Sequence, residues 1–281
     1  MNNQNFEFQT IDWKAEDCED EDEDSTNNSQ SDESDNYYSS DEDVSKKKKF
    51  KKDTSKYKIT VFGKDAKDNT ITMEITDFTP HFYIRLPDCH EQYDKKTASV
   101  VKRFVKDNIW AKYRDCLLRV SVLRKHSFRN FDNNKKYRFA RIVFRNLASM
   151  RQAVGIFQKK EYNSHTEKTK RYPKKIQIYG LPGATNEPYQ YDLYENHIDP
   201  LIKFIHYSKI KSVGWVQIKA GTYEILNNDR YTTKYTISTR WTNVKPLDNI
   251  NNSNIKILAY DIECDSAHGD FPVPNKDYIK L

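Results

Sequence analysis

Glycine is scarce in this chain of 281 residues, and none of its seven glycines belongs to a G-x-x-x-x-G-K sequence. That sequence forms the loop that cradles nucleotide phosphates, so nucleotide binding through such a loop is excluded. The four cysteines show no C-x-x-C spacing and the seven histidines show no metal-ligand spacing. Both absences argue against a zinc knuckle and a disulfide framework, and we expect free thiols.

Long apolar runs are also missing. No stretch approaches the roughly 18 to 20 consecutive apolar residues that a membrane helix needs. The N-terminal sequence MNNQNFEFQTIDWK lacks the basic and then apolar order of a secretory signal. We therefore expect no membrane partner, no secretion, and a location inside the cell, in the nucleus or the cytoplasm.

The net charge of +6 is unevenly divided along the chain. Residues 1–45 carry 16 Asp and Glu against Lys14 alone, a net charge of −15, which leaves +21 for residues 46–281. The acidic part has almost no aliphatic side chains, so burial cannot offset the backbone entropy of ordering it. We predict that residues 1–55 form a disordered acidic tail ending in the basic linker KKKKFKK. That linker is a nuclear-import signal, a nucleic-acid contact, or a solvated connection.

From Tyr57 onward the pattern indicates an α/β (α+β) fold, in the order of three strands, a helix, two strands and a helix. The predicted strands are 57–62, 70–75, 81–87, 116–123 and 137–144, and the predicted helices are 98–110 and 147–157. We expect a mixed sheet with helices packed on it, complete by about Lys160.

The second half of the chain gives weaker signals. Residues 161–187 are rich in turn formers and are predicted to be a connector with one short strand, KIQIY. Asp199 followed by Pro200 predicts a helix start, because the carboxylate can accept from free N–H groups and proline suits the first turn. The helix is expected to run to about His206, followed by strands at GWVQI and 231–239.

Residues 125–146, KHSFRNFDNNKKYRFARIVFRN, interleave cations with aromatic residues. Such mixing suits single-stranded nucleic acid, because cations follow the phosphates while aromatic rings stack on bases. The candidate contacts are Lys125, Arg129, Lys135, Lys136, Arg138 and Arg141. The alternative is a plain hairpin that binds no ligand, with Phe139 and Val143 inward and Arg138 and Arg141 outward. The net positive charge of residues 46–281 favours nucleic-acid binding somewhere on the folded part of the chain.

Two carboxylates end the apolar strand KILAYDIE, residues 256–263. Asp261 and Glu263 project from the same face, roughly 7 Å apart along the strand. Like charges at the end of a buried strand repel each other and lose hydration, unless a cation binds there. Oxygen ligands favour Mg²⁺ or Mn²⁺, and a two-metal site can hydrolyse a phosphodiester. The alternative is a solvated pair at a strand edge.

The whole string, an apolar strand, D-I-E-C and then G-x-F-P-x-P, resembles the first exonuclease motif of family B DNA polymerases. The likeness is greatest to delta-like enzymes, including those of large nucleocytoplasmic DNA viruses. FTPHFYIRLP resembles a segment of their N-terminal domain, and YQYDLYENHIDPLIKFIHYSKIKSVGWVQI resembles the run that precedes the exonuclease. These three matches occur in family order over about Tyr57 to Leu281.

The resemblance implies a polymerase N-terminal domain over residues 56–250 and the first strands of a ribonuclease-H-like 3′–5′ exonuclease domain over 251–281. Asp261 would bridge two metals, and Glu263 would hold the metal that activates the attacking water. The implied partners are primer-template and single-stranded DNA, the rest of the exonuclease, the palm, fingers and thumb, and a sliding clamp. We expect an N-terminal fragment, or one product of a split gene, that is catalytically incomplete alone and acts at sites of DNA replication.

Two other classes of protein stay open. A free-standing module that binds single-stranded nucleic acid without catalysis would account for the basic body and the aromatic stretch. An assembly or chaperone-like protein would account for the acidic tail.

Overall fold

The computed structural model describes most of the basic part of the chain and the first residues of the acidic part. The described residues are 4–19, 51–126, 135–163, 168–185, 187–227, 230–248, 251–256, 259, 263–264 and 279–280. Three α-helices are present in them: α1 (Asp94–Asn108), α2 (Leu147–Ile156) and α3 (Pro200–Ser208). None of these is long and apolar enough to cross a bilayer.

Seventeen strands are assigned within the described residues. They are β1 (Phe6–Cys18), β2 (Lys56–Lys64), β3 (Thr70–Ile75), β4 (His81–Arg85), β5 (Leu117–His126), β6 (Lys136–Phe144), β7 (Gln158–Asn163), β8 (Lys168–Pro173), β9 (Lys175–Ile176), β10 (Tyr189–Gln190), β11 (Leu193–Tyr194), β12 (Trp215–Ile218), β13 (Tyr223–Ile225), β14 (Tyr235–Thr239), β15 (Lys245–Pro246), β16 (Glu263–Cys264) and β17 (Ile279–Lys280).

Two sheets carry the fold. A seven-stranded sheet has the order β13-β14-β3-β2-β1-β12-β15, and a four-stranded sheet has the order β11-β4-β6-β5. The seven-stranded sheet is mixed, because β14 runs parallel to β3 whereas every other pair of neighbouring strands in it is antiparallel. Strand pairs β7–β8, β9–β10 and β16–β17 stand apart from both sheets. The predicted α/β class with a mixed sheet is confirmed.

Strand β1 corrects the prediction that residues 1–55 form a disordered tail, which is wrong for Phe6–Cys18. This strand lies between β2 and β12 in the seven-stranded sheet, and its Phe8 is fully buried in the core. The apolar residues Phe6, Phe8 and Trp13 supply the burial that the average composition of the acidic part conceals. Residues 20–50, with most of the basic linker, lie outside the described residues.

An acidic residue of β1 also joins the two halves of the fold. Asp17 accepts hydrogen bonds from the backbone N–H groups of Leu147 and Ala148, at 2.8 and 2.9 Å, at the start of α2. Asn146 caps the same helix by accepting from Ser149 N at 2.8 Å. Free N–H groups and the positive end of the helix dipole both favour this carboxylate. The end of β1 is thereby fastened to a helix that packs on the four-stranded sheet.

The predicted order of three strands, a helix, two strands and a helix is confirmed as β2-β3-β4-α1-β5-β6-α2. Helices α1 and α2 cover one face of the four-stranded sheet, and Val101, Val105, Phe82 and Ile142 are fully buried between them. The expectation of a single sheet complete by about Lys160 is wrong. Local patterns show where strands form but not which partner each takes, and strands β11 to β15 complete both sheets.

The predicted connector at 161–187 is also more structured than expected. Strands β7 and β8 form a hairpin across its first half, while the predicted strand KIQIY is reduced to the two residues of β9. Helix α3 begins as predicted, with Asp199 accepting from Leu201 N at 2.8 Å, and it ends at Ser208. The predicted strand at 231–239 is limited to β14.

Phe8→Ala tests the placement of β1. We expect it to lower the free energy of unfolding by roughly 3 to 5 kcal/mol, because it empties a fully buried site in the core. Ile11→Ala, on the same strand but 38% exposed, is the matched control and should cost no more than about 0.5 kcal/mol. Urea denaturation measures both, and a Phe8→Ala loss as small as that of the control would contradict the burial of β1.

Candidate nucleic-acid interface

The four-stranded sheet has one face that α1 and α2 do not cover, and strand alternation sorts side chains onto it. We call this side the basic face. Register and alternation assign to it Tyr194 of β11, His81, Tyr83 and Arg85 of β4, Arg119, Leu123 and Lys125 of β5, and Tyr137, Phe139 and Arg141 of β6. The opposite parity of β4 and β6, which includes Phe82 and Ile142, faces the helices.

Cations on the basic face lie over aromatic rings. Arg85 Cζ is 3.9 Å from the centre of the Tyr137 ring, and Lys125 Nζ is 4.4 Å from the centre of the Tyr83 ring. Lys135 Nζ lies 5.1 Å from the Tyr137 ring. The two tyrosines are only 4% and 7% exposed, so their rings position the cations and are not open for stacking on bases. The face therefore offers positive charge to phosphates.

Arg141 lies next to His81 near one end of this face. The His81 Nδ1 atom is 3.0 Å from Thr79 O, a distance that assigns it as the donor to that carbonyl. A nitrogen that donates to Thr79 cannot also accept from Arg141, whose guanidinium approaches it to 3.3 Å. The Nε atom of Arg141 is buried and has no hydrogen-bond partner in the described structure. The guanidinium as a whole is partly exposed and forms no ion pair with a described residue, so its accessible N–H groups can donate to an anion.

Helix α3 packs against the His81 end of the basic face and places a buried lysine there. Lys203, 3% exposed, donates to His81 O at 2.6 Å and lies 3.6 Å from Glu195 Oε2. Tyr207 stacks on the His81 ring, and its hydroxyl donates to Glu195 at 3.3 Å. Burial lowers the pKa of Lys203 to about 8, although Glu195 opposes this shift. Burial, a hydrogen bond with Tyr83 and the charge of Glu195 raise the pKa of Tyr207.

The imidazole of His81 is neutral at physiological pH. Burial and, to a smaller extent, the charges of Arg141, Lys203 and Lys125 lower its pKa to about 3, against the hydrogen bond to Thr79 O. A protonated ring here would be a fourth cation in a crowded, poorly hydrated space. The positive charge of this region is thus carried by the lysines and arginines, with Glu195 as a partial counter-charge.

The predicted contact residues are divided by the fold. Lys125 and Arg141 share the basic face, and Lys135 adjoins it above Tyr137. Lys136 is exposed but belongs to the other parity of β6, and Arg129 lies outside the described residues.

Arg138 corrects the prediction, because it is completely buried on the helix side of the sheet. Its guanidinium lies 2.9 Å from Asp94 Oδ1, donates to Pro87 O at 2.8 Å and to Thr97 Oγ1 at 3.0 Å. A nucleic acid cannot reach this side chain, and the alternative that placed it outward is equally wrong. It shares its parity with Ala140, so it faces α1, which supplies its carboxylate.

Three cations of this region were not predicted. Arg85 and Arg119 reach the basic face because β4 and β5 pair with β6, and Lys203 arrives on α3. The sequence HFYIR contained a signal for Arg85, because alternation places His81, Tyr83 and Arg85 on the same side of β4.

The predicted metal pair stays a prediction. Asp261 lies outside the described residues, and Glu263 is described only as part of β16, whose backbone pairs with Lys280 of β17. Within the described residues, no group of three or more His, Cys, Asp and Glu side chains is arranged to hold a metal ion.

Comparison with known proteins gives matches over most of the chain. The model of the family "DNA polymerase family B, exonuclease domain" matches residues 191–280. The DNA polymerase of Phaeocystis pouchetii virus is 30% identical over 230 residues, which is 82% of this chain and 21% of that relative. The DNA polymerase of Acanthamoeba polyphaga mimivirus is 29% identical over 82% of this chain and 12% of its own length.

A cellular relative and a solved structure agree with these matches. The DNA polymerase delta catalytic subunit of Dictyostelium discoideum is 23% identical over 79% of this chain and 19% of its length. The fold is similar to that of the family B DNA polymerase from the hyperthermophilic archaeon Pyrobaculum calidifontis, with a TM-score of 0.52 and 16% identity, over 79% of this chain and 22% of that one. The chain thus spans about a fifth of the length of the first relative.

His81 gives the site a measurable pH dependence. Its pKa is about 3 in the folded chain and 6.5 as a model value, so the unfolded chain takes up the proton first as the pH falls. The corresponding stability is present above pH 6.5 and is lost toward pH 3, by about 2 kcal/mol at pH 5. In urea denaturation from pH 8 to pH 5, His81→Gln should lose less stability than the wild type by that amount. His126→Gln, an exposed control, should behave as the wild type does; equal pH dependence in all three proteins would refute a buried neutral His81.

Proposed function

Because this chain belongs to DNA polymerase family B, we propose that it forms the N-terminal domain and the first strands of the 3′–5′ exonuclease domain of a DNA-directed DNA polymerase. The proposed N-terminal domain consists of strand β1 and residues 56–250. Residues 251–281 are the proposed beginning of the exonuclease domain. The observation that carries the proposal is the basic face, on which Arg85, Lys125 and Arg141 gather on one side of one sheet.

The chemistry of the basic face fits the backbone of DNA. Arg119 and Lys125 are exposed, Arg85 and Arg141 are partly exposed, and the rings beneath Arg85 and Lys125 hold those two cations in place. Each cation that neutralises a phosphate releases a counterion, so binding of this kind depends steeply on salt and little on sequence. A replicative polymerase needs contact of that sort, since it must hold DNA of any sequence.

The whole protein is proposed to act inside the cell at sites of DNA replication. There it would hold primer-template and single-stranded DNA together with the rest of the exonuclease, the palm, fingers and thumb. A sliding clamp is an expected further partner. The 281-residue chain by itself is proposed to bind DNA without extending a primer, since it spans 21% of one viral relative and 12% of another.

Asp261 and Glu263 are the proposed exonuclease carboxylates. A donor set of carboxylate oxygens fits Mg²⁺ or Mn²⁺, both of which prefer oxygen ligands. These two residues would hold the metals, which supply an activated water and stabilise the phosphate charge during hydrolysis. The match of the exonuclease family over residues 191–280 supports the proposal.

A second candidate function is a free-standing module that binds single-stranded nucleic acid without catalysis. One observation favours it: the basic face is complete within residues 81–194 and needs neither Asp261 nor Glu263. The two candidates agree on DNA binding and differ in nuclease activity.

Paired substitutions test the basic face. Lys125→Ala with Arg141→Ala should weaken binding of the chain to labelled oligo-dT and lower the slope of log Kd against log salt by about 1.4, because two phosphate contacts are lost. The matched control, Arg103→Ala with Arg151→Ala, removes two exposed arginines from helices α1 and α2 across the sheet and should change the slope little. Fluorescence anisotropy from 50 to 300 mM NaCl, about the range where phosphate binding is most salt-sensitive, measures the slopes. Equal losses from both pairs would show that the basic face is not a specific contact.

Asp261→Ala tests the exonuclease. The chain is joined to the part of a family B polymerase that it does not span, and release of 3′ nucleotides from a labelled primer is measured with Mg²⁺ and with EDTA. We expect Asp261→Ala to reduce the metal-dependent rate roughly a hundredfold or more. Asp248→Ala, which removes an exposed carboxylate upstream, should leave the rate unchanged. Wild-type activity in Asp261→Ala would exclude that carboxylate from the site and favour the second candidate.

A further inference from the structure

The β7–β8 hairpin is a two-stranded ribbon that no other described strand joins. Alternation divides its exposed side chains between two sides. We call Lys160, Tyr162, Thr169 and Arg171 the ribbon front. We call Lys159, Glu161, Lys170 and Tyr172 the ribbon back.

The ribbon back has an acidic residue among its cations. Lys159 Nζ forms an ion pair with Glu161 and lies 5.9 Å from the centre of the Tyr172 ring. Lys170 stands directly opposite Glu161 in the register. This side therefore carries an acidic residue that offsets part of its positive charge, which the ribbon front lacks.

Charges on the ribbon front are not balanced. Lys160 stands directly opposite Arg171, both side chains are exposed, and neither forms an ion pair with any described residue. Like charges in direct cross-strand positions destabilise a sheet, and an isolated two-stranded ribbon is at best marginally stable in water. The repulsion between Lys160 and Arg171 thus destabilises a ribbon that has little stability of its own. An anion bound beside the two cations would reduce this repulsion.

An aromatic ring lies beside these cations. Tyr162, 66% exposed, is two residues from Lys160 on the same side of the ribbon. Unlike the tyrosines of the basic face, its ring is open to solvent. Cations that follow a phosphate backbone next to an open ring form the combination that binds single-stranded nucleic acid, because unpaired bases can stack on the ring.

We propose that the ribbon front is a second contact for single-stranded DNA, separate from the basic face. Lys160 and Arg171 bind successive phosphates of one strand, and a base next to them stacks on Tyr162. The identity of the polymer as DNA rests on the proposed function, whereas the site itself follows from the charge and exposure of the ribbon.

Anisotropy titrations of the full chain with labelled oligo-dT test the contact. Lys160→Ala with Arg171→Ala should weaken binding roughly tenfold and lower the salt slope by about 1.4. Lys159→Ala with Lys170→Ala is the matched control on the ribbon back and should change the slope much less. Tyr162→Ala should weaken binding about fivefold, whereas Tyr162→Phe should retain it. Equal effects of the front and back pairs would overturn the proposal.

A charge reversal separates binding from folding. Arg171→Glu replaces the repulsive pair with an attractive one, so we expect Tm to stay the same or rise while the affinity for oligo-dT falls. A fall in both would assign the ribbon front a structural role and overturn the proposal. On a blunt duplex of equal length Tyr162→Ala should have no effect, because paired bases are not free to stack; an equal loss there would overturn the single-strand assignment.

The two proposals can fail independently. If the wild-type chain does not bind oligo-dT at 50 mM NaCl, about the lowest salt used, the proposed DNA-binding function itself is wrong. If the wild type binds and only the basic-face pair matters, the ribbon proposal alone is wrong. Losses from both the basic-face pair and the ribbon-front pair, with salt slopes that add, are the expected result.

Discussion

Alternate residues of each strand in the four-stranded sheet face opposite sides. One side packs against α1 and α2, and the other side is the basic face. Arg138 and Arg141 lie three residues apart in β6 and therefore on opposite sides. The first is held by Asp94 and Thr97 of α1 in a dry setting, where an unpaired guanidinium would be costly. The second forms no ion pair with a carboxylate in the described part of the chain, and its Nε has no hydrogen-bond partner there. Covering one side with helices thus determines which cations remain for a ligand.

Polar joints fix this layer against the seven-stranded sheet. Lys203 reaches from α3 to the carbonyl of His81, and Asp17 reaches from β1 to the start of α2. Lys203 is buried and Asp17 is half-buried, and hydrogen bonds replace the hydration that each charge loses. The contact between Lys203 and the carbonyl of His81 requires a neutral imidazole, because a protonated ring would repel Lys203 and Arg141. Protonation of this buried imidazole would therefore weaken the contact between α3 and β4.

Local signals sufficed for some elements and failed for others for identifiable reasons. The β2–β3 hairpin and the Asp199 cap depend on neighbouring residues only, and both were predictable. Strand β1 was missed because its few aromatic residues are diluted by a long acidic stretch. Arg138 was misplaced because KYRFARIVF is apolar on both parities, so the inward side depends on where α1 packs. The β7–β8 ribbon has charges on both sides and lacks the alternation by which strands are recognised.

The seven-stranded sheet also restricts where the predicted exonuclease carboxylates can lie. Trp215 donates to Asn251 O at 2.6 Å, Ser253 donates to Gln9 at 2.7 Å and is buried, and Lys64 donates to Asn254 O at 2.7 Å. The chain is therefore fastened to β1, β2 and β12 up to residue 254. Asp261 follows seven residues later, and an extended chain of that length spans at most roughly 25 Å. The sheet that is joined to the basic face through Lys203 and Asp17 thus also limits how far from it the proposed nuclease carboxylates can lie.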